Sequence, residues 1–248
     1  MNKYLIEVEE KLRQFAPEEK LYAYADLQSY MGTGYELLGI RSATQKEIFR
    51  KGFSFSNLPL NKQLKIWTSV WNESNLFEAL SQAGLFILKY QKKIPMEEFW
   101  KVTKTWTRKI DNWAHSDTLS SVFANLLLKN GFVYDQLEKW NSSRNVWERR
   151  QSVVTMAIYY RKSDVIPFQK SIRFVNSLIG DEDYFVEKGI GWMLREMGTK
   201  FPKEHSAFLS KNCARLSSSA FATATERIGP GEKEILKTIR RQKCQHVV

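Results

Sequence analysis

The sequence predicts an all-α fold, and three observations carry that prediction. Apolar residues recur at three- and four-residue steps almost throughout, the spacing that puts them on one stripe of a helix. No two Val/Ile/Thr-rich alternating runs are separated by a tight turn, as a hairpin would require. Helix-stopping residues fall between the periodic runs.

The first run is Tyr4, Leu5, Val8, Leu12 and Phe15 on one stripe. The second runs from Pro17, a good first-turn residue, to about Met31, with Leu21, Tyr24 and Leu27 on one side and Gly32-Thr33-Gly34 as its stop. Further helices are expected at about 42–51, 59–72, 75–91, 95–107, 116–130, 146–161, 165–178, 183–198 and 231–242. Asn130-Gly131 reads as a C-cap. Leu178-Ile179-Gly180 plays the same part before a helix that opens on the acids Asp181, Glu182 and Asp183, near its positive end.

Helices of this length joined by short linkers fit a globular bundle or a stack of antiparallel pairs. Pairs of about 35–45 residues lie in the HEAT-like range. The expected architecture is therefore one α-helical HEAT-like repeat domain over residues 1–248, a superhelical solenoid with a concave basic groove.

The 248 residues carry 38 Lys+Arg against 27 Asp+Glu, a formal charge of +11. A large charge of one sign speaks to partners rather than to fold, and favours polyanions, nucleic acid ahead of an anionic membrane surface. From Trp140 to Arg173 the cations Arg144, Arg149, Arg150, Arg161, Lys162, Lys170 and Arg173 face only Glu148 and Asp164. That stretch is a candidate contact surface. No apolar run approaches the roughly 18 residues a membrane-spanning helix needs. The opening MNKYLIEVEEKLRQF lacks an apolar h-region, so no secretory signal and a cytoplasmic location, nucleoid-associated when on DNA, are expected. Cys213, Cys244, His115, His205 and His246 form no metal-ligand spacing. Reduced thiols, no metal, no cofactor and a monomer are the expectations.

Of the eight Trp, Trp67 and Trp71 stand four apart beside Ile66 and Val70, and Trp100 lies near Met96 and Phe99, so these read as core. Trp113 differs, because KIDNWAHSDTL around it is polar at nearly every position. Trp113 and Asp117 share a helix face if the segment is helical, whereas Asp111 does not. Asp117 also stands directly before LSSVFANLLL, and on local pattern alone it reads first as an N-cap. Arg149 and Arg150 near a helix start oppose the macrodipole unless an anion such as phosphate joins them, or unless Glu148 or another carboxylate does.

Three stretches carry a family resemblance. They are YMGTGYELLGIRS (Tyr30–Ser42), NWAHSD (Asn112–Asp117) with VWERRQSVVTMAIYY after it, and FVEKGIGWMLREMGTKFP (Phe185–Pro202). The chain resembles the AlkD-type DNA alkylation repair glycosylases, HEAT-like repeat proteins that remove cationic N3- and N7-alkylated purines from DNA. The most specific element is the K-x-IGW-x-LRE core: Lys188, Ile190, Gly191, Trp192, Leu194, Arg195 and Glu196. Where the family commonly has a Pro shortly after LGI, this chain has Ala43. The resemblance implies that Asp117 is the catalytic carboxylate, Trp113 and Trp192 the two cleft tryptophans, Arg150 the phosphate-gripping arginine and Tyr30 a cleft aromatic. Charge adds Arg149, Arg161 and Lys162 as DNA contacts.

The chemistry is within reach of those residues. An N3- or N7-alkylated purine is already a cationic leaving group, so no general acid is needed. A carboxylate near the sugar stabilises the developing positive charge and guides water to C1′. Indole faces attract cations. The substrate implied is duplex DNA carrying alkylated purines. A non-catalytic helical-repeat protein that binds bent, branched or damaged DNA, and a scaffold for an acidic protein, are the rival readings.

Overall fold

In the computed structural model, residues 2–17 and 24–245 are described; Leu21 and His246 lie outside them, as do the side chains of Tyr24 and Cys244. The described residues form fourteen α-helices and no strand, with one isolated parallel bridge between Glu36 and Leu76. No described helix is long and apolar enough to cross a membrane. Contacts divide the chain into two units, Met1–Val122 and Phe123–Val248.

The first unit holds α1 (Lys3–Arg13), α2 (Tyr24–Met31), α3 (Ser42–Lys51), α4 (Leu60–Glu73), α5 (Phe77–Tyr90), α6 (Met96–Trp106) and most of α7 (Trp113–Leu127), which runs across the division. Asn2 starts α1 by accepting the Tyr4 amide, and Leu5, Val8 and Leu12 bury the predicted stripe on α4 and α5. α3 begins at Ser42 without a proline. Trp67 lies among Phe53, Phe55 and Phe86, with centroids 5.3, 5.1 and 6.2 Å away. Trp71 stacks on Trp106 at 4.6 Å and donates its indole N–H to the Trp106 carbonyl. Trp100, expected in the core, is only half-buried.

The last part of the segment that joins α2 to α3 is held by a buried carboxylate. Glu78, 1% exposed in the first turn of α5, accepts the amides of Leu38, Gly39 and Ile40. Burial pushes this carboxyl up, and the backbone donors pull it back. The LGI element is thus a backbone cradle for a buried acid.

The second unit holds α8 (Phe132–Asn141), α9 (Val146–Tyr160), α10 (Phe168–Leu178), α11 (Tyr184–Lys200), α12 (Pro202–Asn212), α13 (Ser218–Ala224) and α14 (Pro230–Gln245). The sequence expectations include no helix at α8, α12 or α13. Gly131 is not a C-cap: α7 ends at Leu127, and Gly131, at φ −70°, opens α8. The acids before α11 also divide their work. Asp183 caps it by accepting the Phe185 and Val186 amides, while Asp181 stays outside the helix.

α11 packs on α9 along one side and on α13 along another, and its glycines explain how. A Cβ at Gly189 would meet Val153 and Val154 at 2.9 and 3.2 Å; one at Gly191 would meet the Ala220 carbonyl at 2.7 Å and Thr223 at 2.8 Å. At Gly191 the obstacle is backbone, which cannot swing away. Gly191→Ala should therefore destabilise by about 1–3 kcal/mol through overpacking, despite the helix propensity it gains. Gly231→Ala, where a Cβ meets nothing within 4 Å, should be neutral or slightly stabilising. Denaturant midpoints of the two variants check this; equal midpoints would remove the packing account.

Candidate functional site

α7 begins at Trp113, three residues earlier than the pattern suggests. Asn112 is its cap, accepting the His115 amide on Oδ1 at 2.9 Å. Asp117 therefore does not cap the helix; it lies a full turn inside it, half-buried. At that spacing Trp113 and Asp117 share a face of the helix.

Trp113 is held from two sides. Its indole N–H donates to the Tyr30 carbonyl at 2.9 Å, and the Tyr30 ring meets it edge-on with centroids 5.6 Å apart. Part of the indole rests on the cluster of Met31, Leu37 and Phe77. Tyr30 itself is 68% exposed. The structure thus brings Tyr30 and Trp113 together.

The positioning comes from the turn after α2. Gly32, at φ +67°, ends that helix, a conformation glycine adopts at little cost. Thr33 Oγ1 then donates to Asp111 at 2.8 Å, and the Gly34 amide and Asn112 Nδ2 donate to the same carboxylate at 2.8 Å. Asp111, which the sequence places only as being off the Trp113 face, ties the Tyr30 turn to the α7 cap.

Beneath the cap, His115 is buried and stacks on Phe77 at 4.4 Å. Asn112 Nδ2 is a donor, so His115 Nδ1 accepts at 2.8 Å and Nε2 carries the proton toward Ser81 Oγ at 3.0 Å, a tautomer assigned from the network. Burial pushes the His115 pKa down to about 3, and that of His205 down to about 4. The unfolded chain binds protons at both sites near the ordinary value of about 6.5, where the folded chain does not. This contribution is fully present above about pH 6.5 and is lost as pH falls toward these folded values. Denaturant midpoints should fall between pH 7.5 and pH 5, and less so in His115→Gln; an equal fall in both would remove His115 from the account.

In the second unit, Asn145 caps α9 by accepting the Trp147 and Glu148 amides. Arg149 Nε meets Asp181 at 2.6 Å, and its Nη1 donates to the carbonyls of Ser143 and Arg144 at 3.0 and 3.1 Å. The carboxylate beside it is Asp181 and not Glu148, which accepts from Ser143 Oγ. Arg150 is 5% exposed, donates to the Phe185 carbonyl at 2.5 Å in the first turn of α11, and lies alongside Gly189. Lys162 is exposed and donates to Asn125 at 2.6 Å. The basic stretch from Trp140 to Arg173 is therefore divided between buried and exposed side chains. Arg173 pairs with Glu138 at 3.0 Å, and Lys170 sits 4.2 Å over the Tyr134 ring.

Trp192 is half-buried on α11, one turn before Glu196. Its N–H donates to Glu196 Oε1 at 3.1 Å, and the Arg161 guanidinium lies 4.8 Å over its ring. Glu196, with 4% of its side chain exposed, also pairs with Arg161, Arg195 and Arg227 at 3.2, 3.1 and 3.0 Å. Burial alone would raise its pKa, but the hydrogen bonds from Arg227 and Arg195 and the charge of Arg161 hold it below the ordinary value. The sequence offers Glu196 as part of LRE without a role, and nothing in it singles out Arg227. Among the described residues no three His, Cys, Asp or Glu are grouped to hold a metal ion.

The family model described as DNA alkylation repair enzyme matches residues 8–228. No curated protein matches the chain. A solved structure of a predicted DNA alkylation repair enzyme from Enterococcus faecalis is similar, with a TM-score of 0.70 at 16% identity, over 84% of this chain and 95% of that one. At that identity the likeness speaks to the fold.

Proposed function

Because the chain belongs to the DNA alkylation repair enzyme family, we propose that it is a DNA glycosylase of base excision repair, hydrolysing the N-glycosidic bond of N3- and N7-alkylated purines in duplex DNA. The observation that carries this reading is the start of α7: with Asn112 as the cap, Asp117 has no capping role, and it stands one turn from a Trp113 braced by Tyr30. As the C1′–N bond breaks, its electron pair neutralises the cationic purine. The Asp117 carboxylate stabilises the oxocarbenium-like sugar and orients the water that adds to C1′, whose proton is then released.

Trp113 and Trp192 favour a cationic base by cation–π attraction of about 0.5–2 kcal/mol each. Arg150, 5% exposed in the DNA-free protein, holds a phosphate by turning its guanidinium from the Phe185 carbonyl to the DNA, and Lys162 and Arg161, both exposed, add backbone contacts. Arg149, paired with Asp181 in the DNA-free protein, belongs to the same set of proposed DNA contacts. One HEAT-like repeat domain over residues 1–248, acting as a cytoplasmic monomer without metal or cofactor, belongs to the same proposal.

The test is incubation with N-methyl-N-nitrosourea-treated DNA and chromatography of the released bases. Release of 3-methyladenine or 7-methylguanine is expected. Retention of DNA without release would replace the glycosylase by a non-catalytic binder, and failure to retain duplex at low salt would leave the protein scaffold.

A further inference from the structure

Arg161 is the first residue past α9, and 47% of its side chain is exposed. Its guanidinium lies 4.8 Å over the Trp192 ring, and its Nε is 3.2 Å from Glu196 Oε1. The same carboxylate oxygen accepts the Trp192 N–H at 3.1 Å. The indole is therefore fixed at its edge, and one of its faces already carries a cation.

The proposed function asks that ring to attract a cationic purine. Two cations over one indole face repel each other, more strongly where water is excluded. A guanidinium and an alkylated base thus compete for that face, and Arg161 decides which of them holds it.

Glu196 makes the exchange feasible. A buried carboxylate stripped of its partner is strongly destabilising, but Glu196 does not depend on Arg161. Arg195 donates to it through Nε and Nη2 at 3.3 and 3.1 Å, and Arg227 through Nη1 and Nη2 at 3.0 and 3.3 Å. Arg195, with 15% of its side chain exposed, is also locked to Glu226, and Arg227 is bonded to Thr199. Of the three arginines on this carboxylate, Arg161 combines half-exposure with a place on the ring face. A DNA phosphate offers the planar guanidinium two acceptor oxygens in bidentate reach and a full negative charge.

We propose that Arg161 is a specificity-determining residue, a resident cation that covers the Trp192 face in the DNA-free protein and transfers to a DNA phosphate on binding. The face is thereby opened to a cationic base only on DNA. This rests on the glycosylase reading and assigns the access step of that same site.

The test uses full-length protein labelled with 5-fluorotryptophan, the Trp192 fluorine signal being assigned from Trp192→Phe. On addition of undamaged duplex DNA, the wild-type Trp192 signal should move toward the position it holds in free Arg161→Gln. The slope of log K against log salt should be shallower by about 0.9 in Arg161→Gln, the value of one phosphate contact.

A Trp192 signal unmoved by DNA, or an unchanged salt slope, would make Arg161 a static clamp on the indole and overturn the inference. Wild-type protein that binds duplex yet releases no alkylated base would remove the glycosylase reading instead, while the fluorine signal still reports whether the guanidinium leaves. Wild-type protein that does not bind duplex removes both.

Discussion

Asp117→Asn should lower the single-turnover excision rate by about 10²-fold or more, the scale of losing one preorganised electrostatic group, with the melting temperature nearly unchanged. Stability is spared because Asn112, not Asp117, receives the free amide at the start of α7. Asn and Asp have similar helix propensities, and a carboxylate in the second turn gains well under 1 kcal/mol from the helix dipole. Both quantities should be read on one sample. Asn112→Ala supplies the opposite pattern, losing about 1 kcal/mol or more with the cap and freeing the contacts to Asp111 and His115. If the Asp117→Asn variant excises at the wild-type rate, Asp117 is not the carboxylate at the sugar.

That experiment turns on a feature the sequence leaves open. Local pattern puts the cap of α7 at Asp117, directly before the apolar run, whereas the structure puts it at Asn112. The choice is tied to contacts made across 77 and 78 residues, Gly34 and Thr33 to Asp111, which fasten the chain immediately before Asn112. The same limit explains Arg149. Its charge is legible, but its partner Asp181 lies 32 residues on and reads locally as a helix-opening acid. Glu196 shows it again, with Arg161 35 residues before it and Arg227 31 after.

What repeats locally is legible. The α1 stripe, the Gly32 stop and the burial of Trp67 and Trp71 all follow from spacing and side-chain size. α8 has a readable stripe in Val133, Leu137 and Trp140, all buried, but lies directly after an Asn-Gly pair that reads as a stop. α13 has seven residues, mostly Ser, Ala and Thr, too short and too small for a periodic signal. In both, packing decides what propensity does not; for α13 the partner is α11, against which Ala220 comes close enough to require Gly191.

Trp67→Leu should cost about 3 kcal/mol or more of stability, whereas Trp113→Leu and Trp192→Leu should spare the fold and slow excision of 3-methyl- and 7-methylpurines. The difference follows from burial and surroundings. Trp67 is 1% exposed and enclosed by aromatic rings, so a smaller side chain leaves a cavity in the centre of its unit. Trp113 and Trp192 are half-buried, each with its N–H anchored, to the Tyr30 carbonyl and to Glu196, and with ring surface left over. Losing a cation–π attraction of about 0.5–2 kcal/mol weakens binding of a cationic lesion by about 2- to 30-fold and slows its excision at limiting protein. Undamaged duplex should bind almost as before, because a neutral base gains little from the ring quadrupole. A structural indole predicts the reverse, with stability and all binding damaged alike. Should Trp113→Leu and Trp192→Leu unfold as readily as Trp67→Leu, or leave excision of cationic purines untouched, the two rings pack the fold and take no part in recognising the lesion.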